Sequence, residues 1–175
     1  MTLEPIRSAQ GVVGVVYGLF FLESRGLREP PRFTFTRDDD FLVVMDDVLA
    51  LVTSSDLVAR AEVRIEAWSA PPAGAPDGAE RSERRVRLTD AALHARAVPA
   101  TTPDIAAVEL GPPGWYHARA FRWGAGHEQR VEHFLVQLWP SDEPGDADRA
   151  RPAAPDEFAD WNLEVRSWAE NFRPG

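Results

Sequence analysis

The stretch GPPGWYHARAFRWGAGHEQRVEHFLVQLWP, residues 111–140, decides the fold. Gly111-Pro112-Pro113-Gly114 is a turn signal, because proline presets one backbone angle and glycine tolerates the other. Trp115–Trp123 then reads as a strand. Tyr116, Ala118 and Ala120 fall on one face, and His117, Arg119, Phe121 and Trp123 on the other, which is the period of two that an extended backbone imposes. Gly124-Ala125-Gly126 is a second turn, and Val131–Trp139 repeats the pattern. Phe134, Val136 and Leu138 share one face; His133, Leu135, Gln137 and Trp139 share the opposite one. Pro140, lacking an N–H, closes the strand. The two strands read as a hairpin with one core face and a second face carrying Phe121, Trp123, Leu135 and Trp139. An aromatic patch of that kind calls for a cover.

Upstream, the same alternation gives the rest of the domain. Val12–Leu22 reads as one buried strand, rich in β-branched and aromatic residues. Phe33–Thr36 alternates Phe and Thr as a short strand. Phe41–Thr53 reads as two short strands around a turn at Asp46-Asp47. In Ala59–Trp68, Val63, Ile65 and Ala67 alternate with Glu62, Arg64, Glu66 and Trp68. Ala70–Arg84, dense in proline, glycine and charge, is expected to be an exposed, mobile loop, with Arg85–Thr89 resuming as a strand paired with the one before it. Asp90–Val98 is open between strand and loop, and Ile105–Leu110 is a further strand. About seven to nine strands separated by turn signals predict a mostly β chain, an antiparallel β-sandwich or jelly-roll over residues 1–140.

Downstream, residues 141–156 are an acidic, Pro-rich linker. Phe158, Trp161, Val165, Trp168 and Phe172 then recur at steps of three and four, one face of an amphipathic helix over 157–173. The aromatic face of the hairpin is the natural place for that helix to dock on the same domain. The alternative is that both surfaces are bare because each meets a partner.

Composition narrows the function. The chain has 175 residues, 44% of them hydrophobic, enough to bury a core without staples. It has no cysteine, which excludes disulfides, thiolate chemistry and cysteine-ligated zinc. A cytoplasmic location is the expectation. The formal net charge of −9 argues against nucleic acid or an anionic membrane as partner and favours a basic protein. The longest apolar run, Val12–Leu22, is too short to span a membrane.

Chemistry-bearing patterns are sparse. No Gly-x-Ser-x-Gly elbow or phosphate-binding loop is present. His117, His127 and His133 lie close in sequence, and strand geometry would put them on one face, so a three-histidine metal site assisted by Glu128 or Glu132 is conceivable. Histidines on a half-exposed sheet face are the plainer reading. Asp38-Asp39-Asp40 and Asp46-Asp47 could offer oxygens to calcium, or be solvated turns.

Two segments carry a resemblance. Gly114-Trp115-Tyr116-His117-Ala118-Arg119, followed by Phe134-Leu135-Val136-Gln137-Leu138-Trp139-Pro140, resembles the C-terminal hairpin of uncharacterised actinobacterial β-sandwich proteins. In that hairpin a Pro-Gly turn leads into Tyr-x-Val-Arg-Val, and a second strand ends in Leu-Trp-Pro. Ala118 and Ala120 stand here where valines are usual. The wider strand order is similar to the competence-protein-J class of small β-sandwich nuclease inhibitors. The resemblance implies a binding role and supplies no catalytic residues.

Two readings follow. The first is a non-catalytic protein-binding module without cofactor, an inhibitor or immunity-type protein for a basic partner such as a nuclease. Its contacts would be Trp115, Arg119, Trp123 and Trp139, with acidic residues of 141–148. If the helix covers that face, those tryptophans are core instead. The second reading is a metal-dependent or small-molecule-binding enzyme using His117, His127 and His133.

Overall fold

The computed structural model describes residues 4–27, 40–98, 100, 102–124 and 130–143. All ten elements within them are strands: β1 (Arg7–Gly14), β2 (Leu19–Ser24), β3 (Leu42–Met45), β4 (Val48–Val52), β5 (Arg60–Ala67), β6 (Glu80–Leu88), β7 (Ala92–Ala97), β8 (Ile105–Glu109), β9 (Gly114–Trp123) and β10 (Val131–Pro140). They form two five-stranded sheets, ordered β1-β5-β10-β9-β6 and β3-β4-β2-β7-β8. The count thus exceeds the seven to nine expected. The helix over 157–173, most of the linker, and the strand over Phe33–Thr36 lie outside the described residues.

The hairpin of β9 and β10 forms in the register its alternation demands, with Leu138 opposite Ala118 and Val136 opposite Ala120. Its inner face joins one core with the inner face of the second sheet. Phe20 of β2 meets Phe134 of β10 edge to face, with ring centroids 5.1 Å apart. Around them Leu22, Leu49, Leu51, Val63, Ile65, Leu93, Tyr116 and Leu138 are all buried. The sheets are therefore fastened by apolar burial, which stabilises by roughly 25 cal/mol per Å2 of apolar surface removed from water.

Three expectations are corrected and one open segment is settled. Val12–Leu22 is two strands: Tyr17 (φ 56°) and Gly18 (φ 74°) make a tight turn, bracketed by a Val16–Leu19 bridge. A turn with two positive φ values suits the twist of the flanking chains. The turn hid in the sequence because apolar residues flank it without a break. The chain then passes from the first sheet, through β1, to the second, through β2. Second, the strand after the Pro-rich segment begins at Glu80 and pairs with β9, not with β5. Its charges disguise a strand whose outward Arg81, Glu83 and Arg85 are ion-paired. Third, the first sheet is mixed, since β10 runs parallel to β5 while the other pairs are antiparallel. The segment left open, Asp90–Val98, holds strand β7.

The turn at Asp46-Asp47 fastens one sheet to the other. Asp47 N–H donates to Arg87 O at 2.8 Å. Thr89 donates its backbone N–H and its hydroxyl to the two oxygens of Asp47, each at 2.6 Å.

Candidate binding face

The outer face of the first sheet gathers most of the chemistry-bearing side chains. Outward parity places Glu62, Arg64 and Glu66 of β5 beside His133, Leu135, Gln137 and Trp139 of β10, then Trp115, His117, Arg119, Phe121 and Trp123 of β9, and Arg81, Glu83 and Arg85 of β6.

Cross-strand Trp–His pairs stand at the two ends of the hairpin. His117 stacks on Trp139 at 5.1 Å between centroids, and Trp123 stacks on His133 at 5.6 Å. At the first end the Arg119 guanidinium lies 4.7 Å from the Trp139 ring centroid. Arg119 Nε donates to Glu83 at 3.1 Å, and its Nη1 donates to Pro72 O at 2.9 Å. The Pro-rich segment expected to be a mobile loop is thus tied back to the sheet. Glu83 also accepts from Arg81 at 2.7 Å. Burial works to raise the Glu83 carboxyl, but the hydrogen bonds from Arg81 and Arg119 outweigh it and hold the group below the ordinary carboxylate value. Trp139, only 4% exposed, is a wall of this stack rather than an open surface.

Between the two ends sits a buried polar cluster. Glu66 accepts from Trp68 Nε1 at 3.0 Å and from Gln137 Nε2 at 3.1 Å, and pairs with Arg64 at 2.8 Å. Gln137 Oε1 is buried and has no donor among the described residues.

At the second end His133 Nδ1 is 3.0 Å from Glu62 Oε2. A groove of about 580 Å3 opens here, with Val12, Glu62, Arg64, Trp123, His133 and Leu135 in its walls. The sequence singled out Trp123 and His133; Val12 and Glu62 were missed, although the β5 alternation already pointed Glu62 outward.

The site residues expected from sequence are only partly brought together. Arg119 and Trp139 touch, Trp123 stands at the other end of the hairpin, and Trp115 lies among the first, turn-side residues of β9, opposite Arg87. His117 and His133 share the face but stand opposite Trp139 and Trp123 respectively, and these two cross-strand pairs lie six residues apart along the hairpin. That is roughly 20 Å, so one ion cannot bind both. His127 and Glu128 lie outside the described residues. Glu132 points inward: it is 1% exposed, accepts from Ser54 N–H at 3.0 Å and stands 3.9 Å from Arg122 Nε. Arg122 also donates to Val52 O at 3.0 Å and lies 4.7 Å from the Phe41 centroid, beside a cavity of about 690 Å3. Asp40 pairs with Arg84 at 2.8 Å, and Asp47 holds Thr89, so these acids are engaged within the fold. Among the described residues no group of three or more His, Cys, Asp or Glu could hold a metal ion, and no helix is long and apolar enough to cross a membrane. Glu143, in the expected acidic contact segment, is 3.3 Å from Arg85.

No protein-family model matches the chain, and no curated protein matches it in sequence. Solved structures do. ComJ, described as an inhibitor of the DNA degrading activity of NucA from Bacillus subtilis, superimposes with a TM-score of 0.58 at 10% identity, covering 81% of this chain and all of that one. The fold is similar to that of ComJ. The remote likeness expected from the hairpin and strand order is therefore supported. The product of crocagin biosynthetic gene J matches at TM-score 0.50 and 17% identity, covering 77% of this chain and 97% of that one. At such identities the likeness to ComJ is one of fold.

Proposed function

We propose that this chain is a non-catalytic binding protein of the inhibitor or immunity type, which occupies a basic protein partner such as a nuclease. The observation that carries the reading is that its fold spans the entire ComJ chain, a protein that is itself a nuclease inhibitor. The net charge of −9 suits a basic partner, because opposite net charge speeds and orients encounter. The docking surface in this reading is the outer face of the β1-β5-β10-β9-β6 sheet. Trp115 and Trp123, both partly exposed, serve as aromatic anchors; the Arg119–Trp139 stack is the rigid wall behind them.

Capture from native lysate at low salt tests the reading, with wild-type bait compared with the Trp115→Ala, Trp123→Ala double variant. The expected result is one basic protein at near-equal stoichiometry on wild type and its loss from the variant. Equal recovery on both baits would remove the face from the proposal, and recovery of no partner on wild type would overturn it.

A further inference from the structure

We infer that the groove beside Trp123 receives an arginine side chain of the bound partner; this rests on the reading that the outer sheet face binds a basic protein. The groove is spacious enough for a guanidinium and its stem at about 580 Å3. Val12, 50% exposed on the edge strand, and the half-buried Leu135 offer an apolar wall for the methylenes. The acid available to the head group is Glu62, whose side chain is 57% exposed. Glu66 is already engaged by Trp68, Gln137 and Arg64, and Arg64 is drawn toward Glu66 at 2.8 Å. The groove therefore presents an indole and an accessible carboxylate, a pairing that favours a planar, delocalised cation.

The other end of the same hairpin shows this chemistry satisfied from within. There the cross-strand pair is Trp139 with His117, and an arginine of the chain, Arg119, stacks on the indole at 4.7 Å while bonded to a carboxylate, Glu83, at 3.1 Å. At the groove end the cross-strand pair is Trp123 with His133, and the carboxylate is Glu62, 3.0 Å from the imidazole. An incoming arginine would complete at Trp123 the arrangement that Arg119 makes at Trp139.

The test is a titration of the full chain, followed by backbone and indole N–H NMR, with blocked arginine (Nα-acetyl-arginine-N-methylamide) and, as the uncharged isostere, blocked citrulline. The expected result is shifts confined to the Trp123 indole and to Glu62, His133 and Leu135. Citrulline should be without effect, and Glu62→Gln should weaken binding by about fivefold or more. Absent or scattered shifts, equal binding of citrulline, or unchanged binding by Glu62→Gln would overturn the inference. If the partner is captured through the face while blocked arginine fails to bind, the groove assignment falls and the inhibitor reading stands. If no partner is captured, the inhibitor reading falls whatever the titration shows.

Discussion

Replacing Glu66 by alanine strikes the polar cluster under the candidate face, and its cost can be worked out from the contacts. Two buried donors, Trp68 Nε1 and Gln137 Nε2, lose a charged acceptor at 3.0 and 3.1 Å. Each stranded donor costs about 1–3 kcal/mol. The Arg64 pair adds little, because that arginine is half exposed and its ion pair is screened by solvent. The expected loss is about 2–6 kcal/mol, a large part of the 5–15 kcal/mol by which a domain is ordinarily stable. Gln137→Leu should be nearly neutral. It removes one bond to Glu66, but it also removes the orphaned Oε1, and the two effects roughly cancel to within about 1 kcal/mol. The double variant should then lose less than the two single variants together, with a coupling of about 1–3 kcal/mol. Urea unfolding followed by tryptophan fluorescence measures all four proteins, the slope m being checked for constancy. A Glu66→Ala loss no larger than about 0.5 kcal/mol, typical of a surface change, or strict additivity in the double variant, would refute the reasoning.

Three further outcomes are expected. Asp47→Ala should destabilise by about 2–3 kcal/mol, because it removes both bonds to Thr89 and leaves alanine at φ 67°, whereas Asp47→Asn should lose less; thermal melting distinguishes the two. Gly124→Ala should destabilise and shift the His133 ring resonances, since a Cβ there would stand 2.6 Å from His133 Cδ2 at a backbone φ of +87°. His94 is held below its free value of 6.5, chiefly by burial, with Glu23 raising it and Arg96 lowering it. The unfolded chain therefore binds the proton first, so stability should fall as the pH drops below about 6.5, and His94→Gln should flatten that fall in urea midpoints taken between about pH 7.5 and 5.

The period of two carried most of the architecture. It assigned both faces of β9 and β10 correctly down to Gln137 and Trp139, and it found β5, because in each of these strands small or apolar inward residues alternate with charged, polar or aromatic outward ones. It failed where that contrast disappears. β2 is buried along its whole length, so the Tyr17-Gly18 turn before it passed unseen within the apolar run. The first half of β6, Glu80–Arg84, looked like loop because the partner of its outward Glu83 is Arg119 on β9, which is tertiary information that single-sequence alternation lacks. The parallel contact of β10 with β5 is likewise set by the order of strands in the sheet, which local pattern does not encode. For the face itself, sequence named the tryptophans and histidines but not their distances. Register was needed to separate His117 from His133, and to show that Trp139 is packed under Arg119 while Trp123 borders an open groove.

The most direct test of the inhibitor reading is a titration of this protein into a DNA-degradation assay of the basic nuclease captured with it. The account predicts a linear loss of activity that reaches zero near one equivalent and returns as salt weakens the complex. Undiminished nuclease activity with the protein in saturating excess would contradict it.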